Sequence, residues 1–293
     1  MRVGRVGQAC APKRAARRRV GQVQVAALIL ALLIAAAVAA PALAPYPPDR
    51  IELSARRLAP SASHWFGTDD LGRDVAARVL YGARVSLAVG LLSAAVAGAA
   101  AVSVGGVAGY AGGALDSILM RGTDAMLAVP RLPLLMIAAG ILQPSVALLV
   151  VLIGLAGWME PARVLRAEFR TLRTRGFVEG ARAGGAGHAR LILVHLLPNA
   201  AQALTVSLTV AVARGILLES ALSFFGVGVR PPRASWGNML YQAQSSFASE
   251  PWLAFAPGVF IVMTTVTIQV IGDQLAGASG IRHSEFRIRN AER

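Results

Sequence analysis

The sequence predicts an all-α, polytopic membrane fold with six transmembrane helices. Three observations carry this. The 293 residues are 55% hydrophobic, with a mean hydropathy of +0.58. The apolar residues are dominated by Ala, Val, Leu and Gly and include few aromatics, a composition suited to closely packed membrane helices. The arginines behind the net charge of +14 sit in segments that alternate with apolar runs, the pattern that sets topology in a bilayer. A basic surface for nucleic acid is excluded, because the basic clusters lack interleaved aromatics for base stacking.

Residues 1–19 contain Arg2, Arg5, Lys13, Arg14, Arg17, Arg18 and Arg19 and no acid. They read as a disordered basic cytoplasmic tail. Cys10, the lone cysteine, can form no internal disulfide and has no metal-ligand spacing around it. The run at 20–43 matches the roughly 20 residues that cross a hydrocarbon core and reads as the first transmembrane helix. Ala42-Leu43-Ala44 resembles a signal-peptidase site, but the run is long for a leader, which favours an uncleaved anchor. Either way the segment at 44–83, Pro-rich and nearly charge-balanced, is placed outside the cytoplasm.

The remaining five helices fall within 84–273, with spans at about 84–110, 125–142, 146–165, 200–224 and 252–272. Gly105, Gly109 and Gly113 recur every four residues in or just after the first of these, a spacing that permits close helix approach and is also common in any membrane helix. Asp116, Arg121 and Asp124 form a polar turn, and Arg121 and Asp124, three apart, are expected to pair. Pro130 and Pro133 are expected to kink the start of the next span, and Gln143-Pro144-Ser145 to form a tight external turn. Residues 225–251, with Pro231-Pro232, read as a loop. A basic tail at 274–293 closes the chain. Both termini inside satisfies every charge asymmetry.

The segment 160–198 is long for a connector in so apolar a chain. It holds Arg163, Arg166, Arg170, Arg173, Arg175, Arg182 and Arg190 against Glu160, Glu168 and Glu179, so it belongs in the cytoplasm. Within Phe177–Asn199, a short helix opens at Glu179. Gly184, Gly185 and Gly187 end it, since glycine adopts the left-handed conformation of helix termini. A second helix from His188 is expected to stop at Pro198, which lacks an amide proton. Helix, sharp turn, helix makes a compact knob with small side chains at its tip, able to enter a groove on a soluble partner. An ordinary amphipathic connector is the competing reading.

Glu179, Gly180, Ala181 and Gly185, followed by Leu197-Pro198, resemble the EAA loop of ATP-binding cassette importer permeases. Gly180 stands where alanine is usual, and Gly184 where a larger apolar residue is common. His64-Trp65-Phe66-Gly67-Thr68-Asp69-Asp70-Leu71-Gly72-Arg73-Asp74 is similar to the external motif of the dipeptide/oligopeptide/nickel branch, C-subunit type. The similarity continues through Leu80–Leu87, Glu219–Gly226 and Pro231-Pro232 to Ser235-Trp236-Gly237. Trp65 replaces the usual proline, and Ala276–Ile281 lacks the branch's charged run.

The resemblance implies a MetI-like core and a non-enzymatic transport subunit in the bacterial cytoplasmic (inner) membrane. Its partners would be a second permease subunit, two ATPase subunits and an external solute-binding protein, within membrane lipid. ATP and Mg would bind the ATPase subunits, with no cofactor held by this chain. The coupling residues would be Glu179, Gly180, Ala181, Gly185, Leu197 and Pro198. The residues Gly67, Thr68, Asp69, Gly72, Arg73 and Asp74 would order the external segment or meet the binding protein. Glu219 and Ser220 are read as a helix–helix hydrogen-bond site or a pore lining. Cargo would be di- or oligopeptides, with nickel or metal chelates as the alternative. An ion-coupled secondary transporter is disfavoured because the spans are nearly free of ionisable residues. No nucleophile elbow or phosphate-binding loop occurs.

Overall fold

A computed structural model describes residues 12–143 and 145–291; for 12–20 and 278–291 only the backbone is described. Cys10, Pro144 and the first half of the basic tail lie outside the described residues. Every named element is helical. They are α1 (Pro12–Val38), α2 (Val75–Ala111), α3 (Gly113–Ala128), α4 (Arg131–Leu142), α5 (Val146–Leu155), α6 (Met159–Leu172), α7 (Gly176–Ala183), α8 (His188–Phe224), α9 (Trp236–Ala243) and α10 (Trp252–Ala291). Four of these, α1, α2, α8 and α10, are long and apolar enough to cross a membrane. The count reaches six if the bent pairs α3–α4 and α5–α6 each make one span. Apolar side chains are left open on α4, where Ile137 and Ile141 are 64% and 76% exposed.

Several boundaries differ from expectation for identifiable reasons. Backbone helix begins at Pro12, inside the basic tail. The second long helix starts at Val75 rather than near 84, because Asp74 caps it by accepting from the Ala77 amide at 2.7 Å. Arg78 made this stretch look like exposed loop, yet it is 1% exposed and paired with acids. Asp116 and Asp124 lie on a full helix, α3. Asp124 pairs with Arg163 rather than Arg121, and Asp116 binds Arg166 through both oxygens, the longer contact 2.7 Å. Pro130 and Pro133 do more than kink: α3 and α4 meet at 82°. Pro130 occupies the cap position of α4 and Pro133 its first turn, where a missing N–H costs nothing. The 225–251 loop contains α9, opened by a reciprocal cap between Ser235 and Asn238. The final span continues unbroken as helix to Ala291, within the expected tail.

The packing centre is α2 against α8, running antiparallel. Gly90 and Gly215 face each other so closely that a Cβ on Gly215 would lie 3.2 Å from the Gly90 Cα. One apolar cluster joins Val75, Val79, Ile216, Trp236 and Leu253; a second joins Val89, Leu149, Ile153 and Leu222. A third, at the opposite end of the bundle from Asp74, contains Leu165, Phe169, Val178, Leu191 and Leu196. At that end Gly109 of α2 meets α6: a Cβ there would sit 2.7 Å from the Arg166 carbonyl oxygen and the Phe169 Cβ. Of the four-residue glycine series, Gly105 and Gly109 are such packing positions, and Gly113, at φ +62°, opens α3.

Candidate functional site

At one end of the bundle, α7 and the head of α8 form the expected knob. Val178 is the anchor, fully buried in the third apolar cluster, with Ala181 and Ala186 packed beside it. The turn after α7 is a Schellman motif. Gly185 takes φ +84°, its N–H donates to Arg182 at 3.0 Å, and the Ala186 N–H donates to Ala181 at 3.0 Å. Glu179, Gly180, Gly184 and Gly185 are exposed. A Cβ added at Gly180, Gly185 or Gly187 would meet nothing within 4 Å. The tip therefore presents backbone and small side chains to its surroundings. The knob's base is tied to α2 by His188, whose Nδ1 lies 2.6 Å from the Tyr110 hydroxyl.

Pro198 does not stop the second helix. Leu191–Leu196 winds as a π-turn, and helix continues from Leu197 to Phe224 with Pro198 in its first turn. A π-turn widens the backbone ahead of the proline, relieving both the ring clash and the missing donor. Leu197 is half-buried and Pro198 exposed. The second half of the knob and the transmembrane segment are thus one continuous helix.

At the other end, residues 64–74 form a tight polar knot. Thr68 is buried; its hydroxyl accepts from the Leu58 amide at 2.8 Å and donates to the Ala55 carbonyl. Asp69 Oδ1 accepts from the amides of Leu71 and Arg73, both at 2.9 Å, and Oδ2 from Arg73 Nε at 2.7 Å. Arg78 Nε lies 3.6 Å from the same oxygen. Asp74, besides capping α2, holds His64 Nδ1 at 2.8 Å. Gly67 and Gly72 both take positive φ, and a Cβ on Gly67 would sit 2.8 Å from the Trp252 indole nitrogen. Arg73 reaches Gln242, the last residue but one of α9, at 3.2 Å. Gly67, Thr68, Asp69, Gly72, Arg73 and Asp74 are all buried, and their polar groups turn inward on one another.

Glu219 lies between the two ends, 0% exposed. Its carboxylate accepts from Ser86 of α2 at 2.9 Å and from Ser223 at 2.8 Å, with Ser220 at 3.5 Å. Ser86 in turn accepts from the Trp236 amide at 3.3 Å. The structure thus places Glu219 and Ser220 where α2, α8 and the head of α9 meet. Gly237 makes this approach possible, since a Cβ there would lie 2.6 Å from the Ser220 backbone.

A group that the sequence pattern does not single out also comes together. Glu160, at the head of α6, accepts from Arg131 Nη2 at 3.1 Å through one oxygen and pairs with Arg214 of α8 through the other. The three line a groove with Ser93, Ser207 and Ile153. Separations of 29 residues or more hid it, although Arg214, a lone arginine within an apolar run, was a visible signal. Among the described residues, no group of three or more His, Cys, Asp or Glu is placed to hold a metal.

Comparison with known proteins accords with this architecture. Residues 101–279 match the family described as binding-protein-dependent transport system inner membrane component. The chain is 42% identical over 240 residues to a Brucella suis biovar 1 (strain 1330) protein named as a peptide permease, covering 81% of this chain and 80% of the other. It is 38% identical over 239 residues to the dipeptide transport system permease protein DppC of Bacillus subtilis (strain 168), covering 81% and 75%. It is 36% identical over 219 residues to that organism's oligopeptide transport system permease protein OppC, covering 75% and 72%. With the matched residues running from the second half of α2 into α10, the chain belongs to the family of binding-protein-dependent transport system inner membrane components.

Proposed function

We propose that this chain is a peptide-transporting permease subunit of an ATP-driven importer in the bacterial cytoplasmic membrane. It would act beside a second permease subunit, two ATPase subunits and an external binding protein. The carrying observation is the single helix from His188 to Phe224 that joins the exposed knob to the centre of the bundle. The permease names of the relatives, peptide, dipeptide and oligopeptide, support peptides as cargo. The arginine excess around α6 and α7 supports a cytoplasmic knob, with both termini on that side.

In this reading the exposed face of α7, from Glu179 to Gly185, seats in a groove of an ATPase subunit, which holds ATP and Mg. Closure of the ATPase pair displaces the knob. The displacement passes along α8 without a loop to absorb it and reaches the contacts with α2 and α10. The bundle then alternates between inward- and outward-open states. The buried knot at 64–74 keeps the far end rigid.

Gly185→Trp tests the docking role. It adds bulk at a point where an added Cβ meets nothing within 4 Å, and Gly185→Ala, which carries the same backbone strain without the bulk, separates the two effects. Gly185→Asn, which tolerates the left-handed conformation, serves as the control. The tryptophan variant is expected to lose ATPase assembly or to hydrolyse ATP without uptake, while the asparagine variant retains both. Normal uptake with Gly185→Trp would refute the docking role.

A further inference from the structure

Arg214 lies inside an apolar span, ten residues before the Phe224 end of α8, about 15 Å along the axis. A charge at such depth is costly unless it is partnered or wet. Glu160 partners Arg214 on one side, and 46% of the arginine side chain remains exposed. Glu160 is 41% exposed and Arg131 22%. Two guanidiniums share one carboxylate, each taking one of its oxygens. The cluster keeps a net positive charge and further N–H donors on both arginines. Charges left open to this degree are costly against hydrocarbon, which marks the groove they line, among α2, α4, α5, α6 and α8, as a polar face of the bundle.

We propose that the Arg131–Arg214 pair is a receiving site on the translocation surface for the carboxylate of the passing peptide. This rests on the peptide reading given above. The chemistry is set by the cluster itself: Glu160 shows that the two guanidiniums accept a carboxylate between them, a match of fork to oxyanion. The resident Glu160 also limits the affinity. An incoming carboxylate competes with it, so the site holds cargo briefly and returns to its internal pair when cargo leaves. A polar path needs such a site to bind well enough to admit and weakly enough to release.

The test is ATP-driven uptake by the complete complex, with its binding protein, in proteoliposomes. One tripeptide is supplied as free acid and as C-terminal amide. The free-acid to amide ratio is divided by that of the unmodified complex, so the binding protein's own preference cancels. Arg214→Gln is expected to lower this ratio about tenfold, the size of one lost charge-assisted hydrogen bond. Glu160→Gln is expected to raise it, because the competing carboxylate is gone. If the cluster only tied helices together, both variants would depress uptake of both peptides equally, and the proposal would fail. It fails equally if the ratio does not change. Should Arg214→Gln not assemble, Glu160→Gln and Arg131→Gln decide by the same ratio. A deficit that vanishes when phosphatidylglycerol is replaced by phosphatidylcholine, alike for both peptides, would assign the cluster to lipid phosphate and overturn the proposal. No uptake of either peptide by the unmodified complex would instead overturn the peptide reading.

Discussion

Substitution of two glycines in the knob should move its stability in opposite directions. Gly180 lies inside α7, exposed, and a methyl group added there would meet nothing within 4 Å. Alanine at this position adds no clash and removes the entropic penalty of glycine in a helix, a gain of about 1 kcal/mol. That is about a fivefold decrease in local opening. Gly185 is equally unobstructed, but its φ of +84° is closed to alanine at low cost. The left-handed conformation costs an L-residue about 1–2 kcal/mol, raising opening about five- to thirtyfold. Hydrogen exchange of the Gly184 and Ala186 amides, which close onto Gly180 and Ala181, reads both changes on the purified chain. Slower exchange in Gly180→Ala and faster exchange in Gly185→Ala are expected. Unchanged exchange in both would refute the reasoning, showing that burial of Val178 alone governs the knob.

Other perturbations probe the rest of the molecule. Asp69→Ala takes the acceptor from two amides and one of the acceptors from each of two buried arginines, which keep Gln242; it should cost about 3 kcal/mol, lowering the apparent Tm by about 6 °C or more. Asp69→Asn, which can keep the turn amides, should lose roughly half as much; equal losses would show that the turn amides contribute nothing beyond the ion pair. Gly109→Val forces α2 off α6 and should cost about 2 kcal/mol, read as a lower apparent Tm, and an unaffected Tm would mean that this crossing is loose. Asp116→Ala should cost about 1 kcal/mol by removing the partner of the partly exposed Arg166, and the exchanged pair Asp116→Arg with Arg166→Asp should recover part of the loss in the same thermal scan.

The long apolar runs made the helical class and most span positions legible, and the glycine cluster made the knob's turn legible. What escaped depended on partners distant in sequence. Arg78 looked like loop because its burial is set by Asp69 and by the fold around it. Glu160 looked like the start of a cytoplasmic loop because nothing local shows that Arg131 and Arg214 converge on it. The helix at Trp236–Ala243 was masked by Pro231-Pro232, though Ser235 and Asn238 have the spacing of a reciprocal cap. Pro198 misled in a different way: a proline rule written for regular helix does not apply where the preceding turn is wider. The buried positions themselves carried the clue, since Leu191, Leu196 and Ala200 are spaced five and then four apart.

That spacing makes the π-turn a one-residue insertion held in register by everything around it. Deleting one residue between Leu191 and Leu196 would remove the wide turn and leave both flanks close to their present register. Winding the same residues as regular helix without a deletion would turn all that precedes them by about 100° around the helix axis. Leu191 would leave the pocket it shares with Val178, and the face now pointing away from the bundle would point along it. The aim of the knob is therefore encoded as an angle, and that angle is stored in a single supernumerary residue.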